Sequence, residues 1–120
     1  MKKIYFIFLL IIIIAISYIS FKQNKPIGII VEEEDEIKIT YPRDLDEVKG
    51  LVNVAGKADK NFEFVELQID LKGWEKASGV VNWNYSFDSS NLNPGIHVIY
   101  ARASDNIRYT KIKAVRIKVV

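Results

Sequence analysis

Residues 83–105 limit the possible folds more than any other stretch. Trp83, Tyr85 and Phe87 alternate with Asn84, Ser86 and Asp88. A period of two places the three aromatic rings on one face of a strand. Pro94-Gly95 then turns the chain, because proline presets its φ and glycine accepts conformations other residues resist. Beyond the corner His97, Ile99, Ala101 and Ala103 again share one face. Large inward side chains on one strand and small ones on the next suit two sheets packed face to face. The rest of the chain from residue 37 has to supply the remaining strands of that sandwich.

It does so in short segments between turn signals, about every ten residues, as an all-β sandwich requires. Ile37–Tyr41 reads as a first strand with Ile37, Ile39 and Tyr41 on one face, ended by Pro42-Arg43-Asp44. Residues 50–58 form a second, with Val52 and Val54 on the same face as Gly50, Gly56 and Ala58; glycine there permits close approach of a neighbour. Residues 64–71 form a third, with Val65, Leu67 and Ile69 facing one way and Glu66, Gln68 and Asp70 the other. A loop or short edge segment carrying Trp74 lies between Lys72-Gly73 and Ser78-Gly79. In the last strand, residues 111–120, Val115, Ile117 and Val119 alternate with Arg116 and Lys118, whereas Ile112 has the opposite parity. That mismatch predicts a bulge near Lys113. Helical periodicity is absent after residue 36.

The N-terminal part has a different character. After Met1-Lys2-Lys3, residues 4–21 are apolar apart from Ser17, Ser20 and the tyrosine hydroxyls. As a helix this run spans about 27 Å, close to the hydrocarbon thickness of a bilayer. Residues 1–21 are expected to be a signal anchor with its N-terminus inside, since Lys2, Lys3 and the terminal amine outweigh Lys22 and Lys25. The alternative is a signal peptide cleaved near Ala15-Ile16-Ser17, which would leave the domain secreted. Residues 22–36 read as a linker broken by Pro26 and Gly28 and ending in five consecutive acids, residues 32–36. A calcium loop spaces its carboxylates and turns on a glycine. The unbroken run instead fits a solvated, self-repelling stalk that holds the domain off the membrane.

Composition narrows the chemistry. A net charge of +2 gives no reason to expect nucleic acid as a partner. With no cysteine there is no disulfide framework, thiol nucleophile or lipoprotein anchor, and a single histidine, His97, excludes multi-histidine metal sites. No catalytic residue, cofactor or metal ligand is expected. Asp88 and Asp105, the nearest approach to paired carboxylates, sit at strand ends where turn formation explains them.

From residue 37 onward the sequence resembles the bacterial and archaeal immunoglobulin-like (Big-type) domains of cell-surface proteins. The resemblance rests on Ile39-Thr40-Tyr41-Pro42, on Val48-x-Gly50-x-Val52-x-Val54-x-Gly56-x-Ala58, and on Val65-x-Leu67-x-Ile69-Asp70. It continues through Trp83-x-Tyr85-x-Phe87-Asp88 and Gly95-x-His97-x-Ile99-x-Ala101-x-Ala103-x-Asp105. It implies an immunoglobulin-like two-sheet antiparallel sandwich over residues 37–120, preceded by one N-terminal hydrophobic helix. It also implies adhesion or display rather than a reaction. Both cysteines of the antibody-type pattern are missing, and His97 stands where many members place a corner tyrosine. His97 is therefore expected to hydrogen-bond the backbone of its own corner.

In an immunoglobulin-type strand order Glu66, Gln68, Asp70, Val98, Tyr100, Arg102, Arg116 and Lys118 share one outer face. Glu66 and Asp70 are then placed to pair with Arg102 and Arg116. Phe64, Val98 and Tyr100 would make a small apolar patch for a partner subunit or a glycan, unless arginine and lysine stems cover it. Trp74 could stack on a sugar or meet a membrane interface, or fold over the open end of the sandwich. Phe64, Trp74, Val98 and Tyr100 are the candidate binding residues. Arg108, Lys111 and Lys113 cluster near the last turn, able to meet anionic lipid or an acidic polymer or to guard an edge strand. The expected protein is a membrane-anchored extracytoplasmic binding or structural module with a protein or glycan partner on the cell surface. A small subunit of an envelope machine such as a pilus or archaellum is the second reading, and a carbohydrate-active hydrolase the third.

Overall fold

A computed structural model describes residues 35–120. The anchor expected over 1–21, and the linker as far as residue 34, lie outside the described residues. Among those described, no helix is long and apolar enough to cross a membrane.

Asp35–Val120 forms one compact unit of eight strands in two sheets. The strands are β1 (Ile37–Tyr41), β2 (Asp46–Val48), β3 (Leu51–Ala58), β4 (Phe64–Ile69), β5 (Glu75–Lys76), β6 (Asn82–Asp88), β7 (Gly95–Ser104) and β8 (Lys113–Val119). A three-stranded sheet runs β1-β3-β6 and a five-stranded sheet runs β2-β8-β7-β4-β5. All pairs are antiparallel except β2 with β8.

The alternation seen in the sequence places the core. Val52 and Val54 of β3 and Trp83 of β6 face Val65, Leu67, Ile99, Ala101, Ala103, Val115, Ile117 and Val119 of the other sheet, all buried. Trp83 is 1% exposed and pairs in register with Gly56, which leaves room for the indole against β3. An aromatic side chain of this kind buries about 150–250 Å², worth roughly 4–6 kcal/mol of transfer free energy. Ala101 and Ala103 are the small partners that the large rings require.

Three features depart from the sequence reading. Residues 37–48 begin in one sheet and end in the other. Pro42 has no N–H to continue the ladder, and Leu45 adopts a left-handed backbone (φ 66°). Its N–H then donates to the Arg116 carbonyl at 2.7 Å, and β2 follows β8 in parallel. Asp46-Glu47-Val48 has no alternation to announce it. Second, the β1 register slips between Ile39 and Tyr41, so Tyr41 leaves the inward face and Pro42 is buried instead. Third, Tyr85 and Phe87 point inward but are only half-buried. The facing edge strand β5 is two residues long, so they line an open groove with Leu67, Ile69 and Leu92. The irregularity near Lys113 is present. Ala101 pairs with Lys113 and Ser104 with Tyr109, so the three residues between on the β8 side oppose two on β7. Thr110 closes the gap, its N–H donating to the Ala103 carbonyl and its Oγ1 accepting from the Ala103 N–H.

Candidate functional site

The outer face of the five-stranded sheet carries an interleaved stack of rings and cations. β4 and β7 pair so that Glu66 lies directly opposite Arg102, whose Nη2 donates to the Glu66 carboxylate at 3.4 Å. The chain after β4 turns through Gly73 and delivers Trp74 just ahead of β5. The hairpin after β7 returns Tyr109 beside Ser104. The Arg102 guanidinium therefore sits between two rings, 4.0 Å from the Trp74 centroid and 3.8 Å from the Tyr109 centroid. Tyr109 meets Phe64 edge to face at 6.4 Å, and Lys76 Nζ lies 4.7 Å from the Phe64 centroid. Cation–π contacts of this kind contribute about 0.5–2 kcal/mol, more as the site dries. The Arg102 Nε is buried and finds no acceptor among the described residues, so the rings and Glu66 are what hold the guanidinium. The face presents aromatic rings and a partly neutralised cation, chemistry for stacking and hydrogen bonding.

Of the sequence candidates, Phe64 and Trp74 belong to this stack. Trp74 lies over Arg102 rather than over an open end of the sandwich. Val98 and Tyr100 are on the same face, further along β7. Tyr100 pairs with Gln68, four positions from Ser104, which pairs with Phe64. At about 3.4 Å per residue that is ~13 Å along the strand, so Phe64, Val98 and Tyr100 do not form one patch. Arg102 and Tyr109 are the members that candidate-picking from sequence missed. Arg102 had the right parity, but Tyr109 lies in a turn where periodicity gives no signal.

The Glu66–Arg102 pair is present as expected, whereas Asp70 and Arg116 find other partners. Arg116 donates to Asp44 from its Nε and Nη2. Asp70, left-handed at φ 54°, joins the corner around His97. His97 Nδ1 donates to Asp70 Oδ2 at 2.7 Å and Nε2 donates to the Asn93 carbonyl at 2.6 Å, while Asp70 Oδ1 accepts from the Val98 N–H at 3.1 Å. Both ring nitrogens face acceptors, so this geometry suits the imidazolium. The Asp70 hydrogen bond, then that of Asn93, raises the His97 pKa. For Asp70, burial acts upward but is outweighed by the bonds from His97 and Val98, and its pKa is lowered. His97 thus ties its own corner to the Asn93 backbone, as expected, and to the Asp70 carboxylate as well.

Asp88 caps the short helical turn Ser89–Asn91 through Ser90, and Asp105 accepts from the N–H groups of Ile107 and Arg108; both carry structural turns. Tyr85 donates to Glu75 across the open groove, and burial followed by that carboxylate pushes its phenol up to about 12. Of the acidic run, Asp35 pairs with Lys113 at 2.7 Å and Glu36 with Arg108 at 2.9 Å. Among the described residues no group of three His, Cys, Asp or Glu is placed to hold a metal ion.

No protein-family model and no curated protein matches the sequence. The fold has clear neighbours among solved structures. One is the X-ray structure of the endo-β-1,4-mannanase from Thermotoga petrophila, with a TM-score of 0.63 and 17% identity over 84% of this chain. The chain spans 23% of the length of that protein. Another is the set of fibronectin(III)-like modules of Clostridium thermocellum CbhA, with a TM-score of 0.52 and 18% identity over 69% of this chain and 94% of that one. The described domain is an all-β, immunoglobulin-like two-sheet sandwich, similar in fold to those fibronectin(III)-like modules.

Proposed function

We propose that this chain is a non-catalytic binding or structural module, held at a membrane by residues 4–21 with its β-sandwich outside the cell, in the manner of the prokaryotic immunoglobulin-like surface domains its sequence resembles. The Arg102 stack is the observation that carries this reading. A sheet face with an arginine set between tryptophan and tyrosine has the composition enriched where proteins engage partners, and its half-exposed rings are preorganised. The fibronectin(III)-like neighbour supports a module rather than an enzyme. The apolar run, with basic residues before it, supports the anchor and its orientation.

The test is capture from solubilised membranes with the full chain as bait, beside Trp74→Ala, Tyr100→Ala and, on the other sheet, Asn53→Ala. A protein or glycan retained by the native chain and by Asn53→Ala, but lost with Trp74→Ala, places the binding face on the stack. Loss with Tyr100→Ala alone moves it along β7. Equal retention by all four chains refutes binding through this face.

A further inference from the structure

The turn joining β7 to β8 has a feature that neither the sandwich nor the ring stack uses. Ile107 stands at its tip and is 93% exposed. The turn is built to hold it there. Asp105 Oδ1 accepts from both the Ile107 and Arg108 N–H groups at 2.9 Å, and Asn106 takes the left-handed conformation (φ 72°) that closes the bend. A fixed turn that projects an isoleucine into water suits an apolar surface that meets it end-on. Side chains of both signs flank the tip, with Lys113 paired to Asp35. Arg108 is shared with Glu36 and Asp105, and Lys111 is exposed with no ion pair among the described residues. Ile112, half-exposed, widens the apolar part.

The position of this tip in the domain bears on which surface that is. The described fold begins at Asp35 and Glu36, which pair with Lys113 and Arg108, so the chain joins the domain at the end that carries the tip. Val120 lies at the opposite end, its N–H donating to Val48. The residues preceding Asp35 include the 4–21 apolar run.

We propose that the β7–β8 tip, with Ile107 inserted and Lys111 beside it, is an interfacial membrane contact that rests this end of the sandwich on the bilayer, in place of the stalk that would hold it off. The inference rests on the anchor reading above. One isoleucine and one or two cations bind a membrane weakly. A domain already tethered to the bilayer meets it at high effective concentration, however, and a weak contact then suffices to set its orientation.

The chain contains no cysteine, so a single introduced thiol reports one site. The full chain is reconstituted in phosphatidylcholine vesicles with and without phosphatidylglycerol. An environment-sensitive dye is placed at Ile107→Cys or, at the far end of the sandwich, at Ser90→Cys. The expected result is flotation with the vesicles, a blue-shifted spectrum at position 107 that lipid-borne spin labels quench, and a water-like spectrum at position 90. Adding Lys111→Glu reduces the blue shift on anionic vesicles more than on neutral ones. A chain that floats but gives the same water-like spectrum at both positions overturns the proposal and leaves the anchor standing. A water-like spectrum at 107 that shifts only when a protein partner is added also overturns it. A chain that does not float, or that alkaline carbonate strips off, removes the anchor reading and this inference with it.

Discussion

Adding one methyl group at Gly56 should cost this fold more than most deletions on its surface. Gly56 of β3 pairs in register with Trp83 of β6 and with Ile39 of β1. A Cβ built there falls 2.5 Å from Trp83 Cε2 and still further inside contact distance of Trp83 Cζ2 and the Lys38 carbonyl oxygen. Ordinary contacts to a Cβ lie at 3.4–4 Å, so a displacement of about an ångström is needed. Neither neighbour is a flexible tip, since one is a fully buried indole and the other is the backbone of β1. Overpacking of a filled core costs about 1–3 kcal/mol, and two rigid neighbours place Gly56→Ala near the top of that range. For a domain of this size each kcal/mol moves Tm by about 4–8 °C, so a cost of about 3 kcal/mol gives an expected loss on the order of 12–24 °C. Urea and thermal melts of residues 35–120, followed by tryptophan fluorescence, measure it. Trp83→Phe, which lacks the clashing benzo atoms, should cost less in the Gly56→Ala background than in the native one. A Tm change below about 3 °C for Gly56→Ala would refute the claim that Gly56 makes room for Trp83.

Three further expectations come from the site and its surroundings. Arg102→Lys should destabilise by about 1–2 kcal/mol in a urea melt despite keeping the charge, because an ammonium cannot lie flat between Trp74 and Tyr109; a silent substitution would mean that the stack is incidental. Thr110→Val should cost about 1–3 kcal/mol by leaving the Ala103 N–H unbonded in a buried strand, whereas Thr110→Ser should retain most of the stability in the same melt. The His97 corner should make stability fall as pH rises. The folded pKa of His97 lies above its ordinary 6.5, so the stabilisation is complete below 6.5 and is lost as pH climbs through the raised value. Asp70, lowered from 3.8, gives the opposite limb: its contribution is present above 3.8 and lost as pH falls through the folded value. Urea midpoints measured from pH 4 to 9 should therefore decline on the alkaline side, and His97→Gln should flatten that decline; an unchanged slope in the variant rules out the imidazolium corner.

The strands with strict alternation were legible in the sequence because burial on one face imposes it. Residues 51–58, 64–69, 83–88 and 95–104 lie where the period of two places them, whereas the third strand expected as far as residue 71 ends at Ile69 and leaves Leu71 exposed; the parity break before Val115 marks the Thr110 irregularity. β2 was not legible. It is three residues long and is created by the sheet switch at Pro42, a tertiary event without local periodicity. Tyr85 and Phe87 carry the core pattern but meet a two-residue edge strand, whose length sets their burial from outside their own segment. The stack was legible by halves. Parity placed Glu66 opposite Arg102, and the Gly-flanked loop singled out Trp74. Tyr109 reaches Arg102 only through the bridge to Ser104, a contact that depends on hairpin geometry. His97 was read as a corner residue, and its Asn93 bond fits that. Asp70 joins it through a left-handed turn at the end of β4, which the alternation of that strand does not foretell.

Whether the sandwich stands outside the cell is decided by labelling intact cells. Ser90→Cys lies on an exposed turn of a chain without other cysteines, and a membrane-impermeant maleimide reports which side of the membrane it occupies. Spheroplasts replace cells if a wall shields the domain. An anchored module with its N-terminus inside predicts labelling of intact cells, with the labelled protein remaining in the membrane fraction after carbonate washing. Labelling that appears only after the membrane is broken contradicts that orientation, and labelled protein in the medium contradicts the anchor.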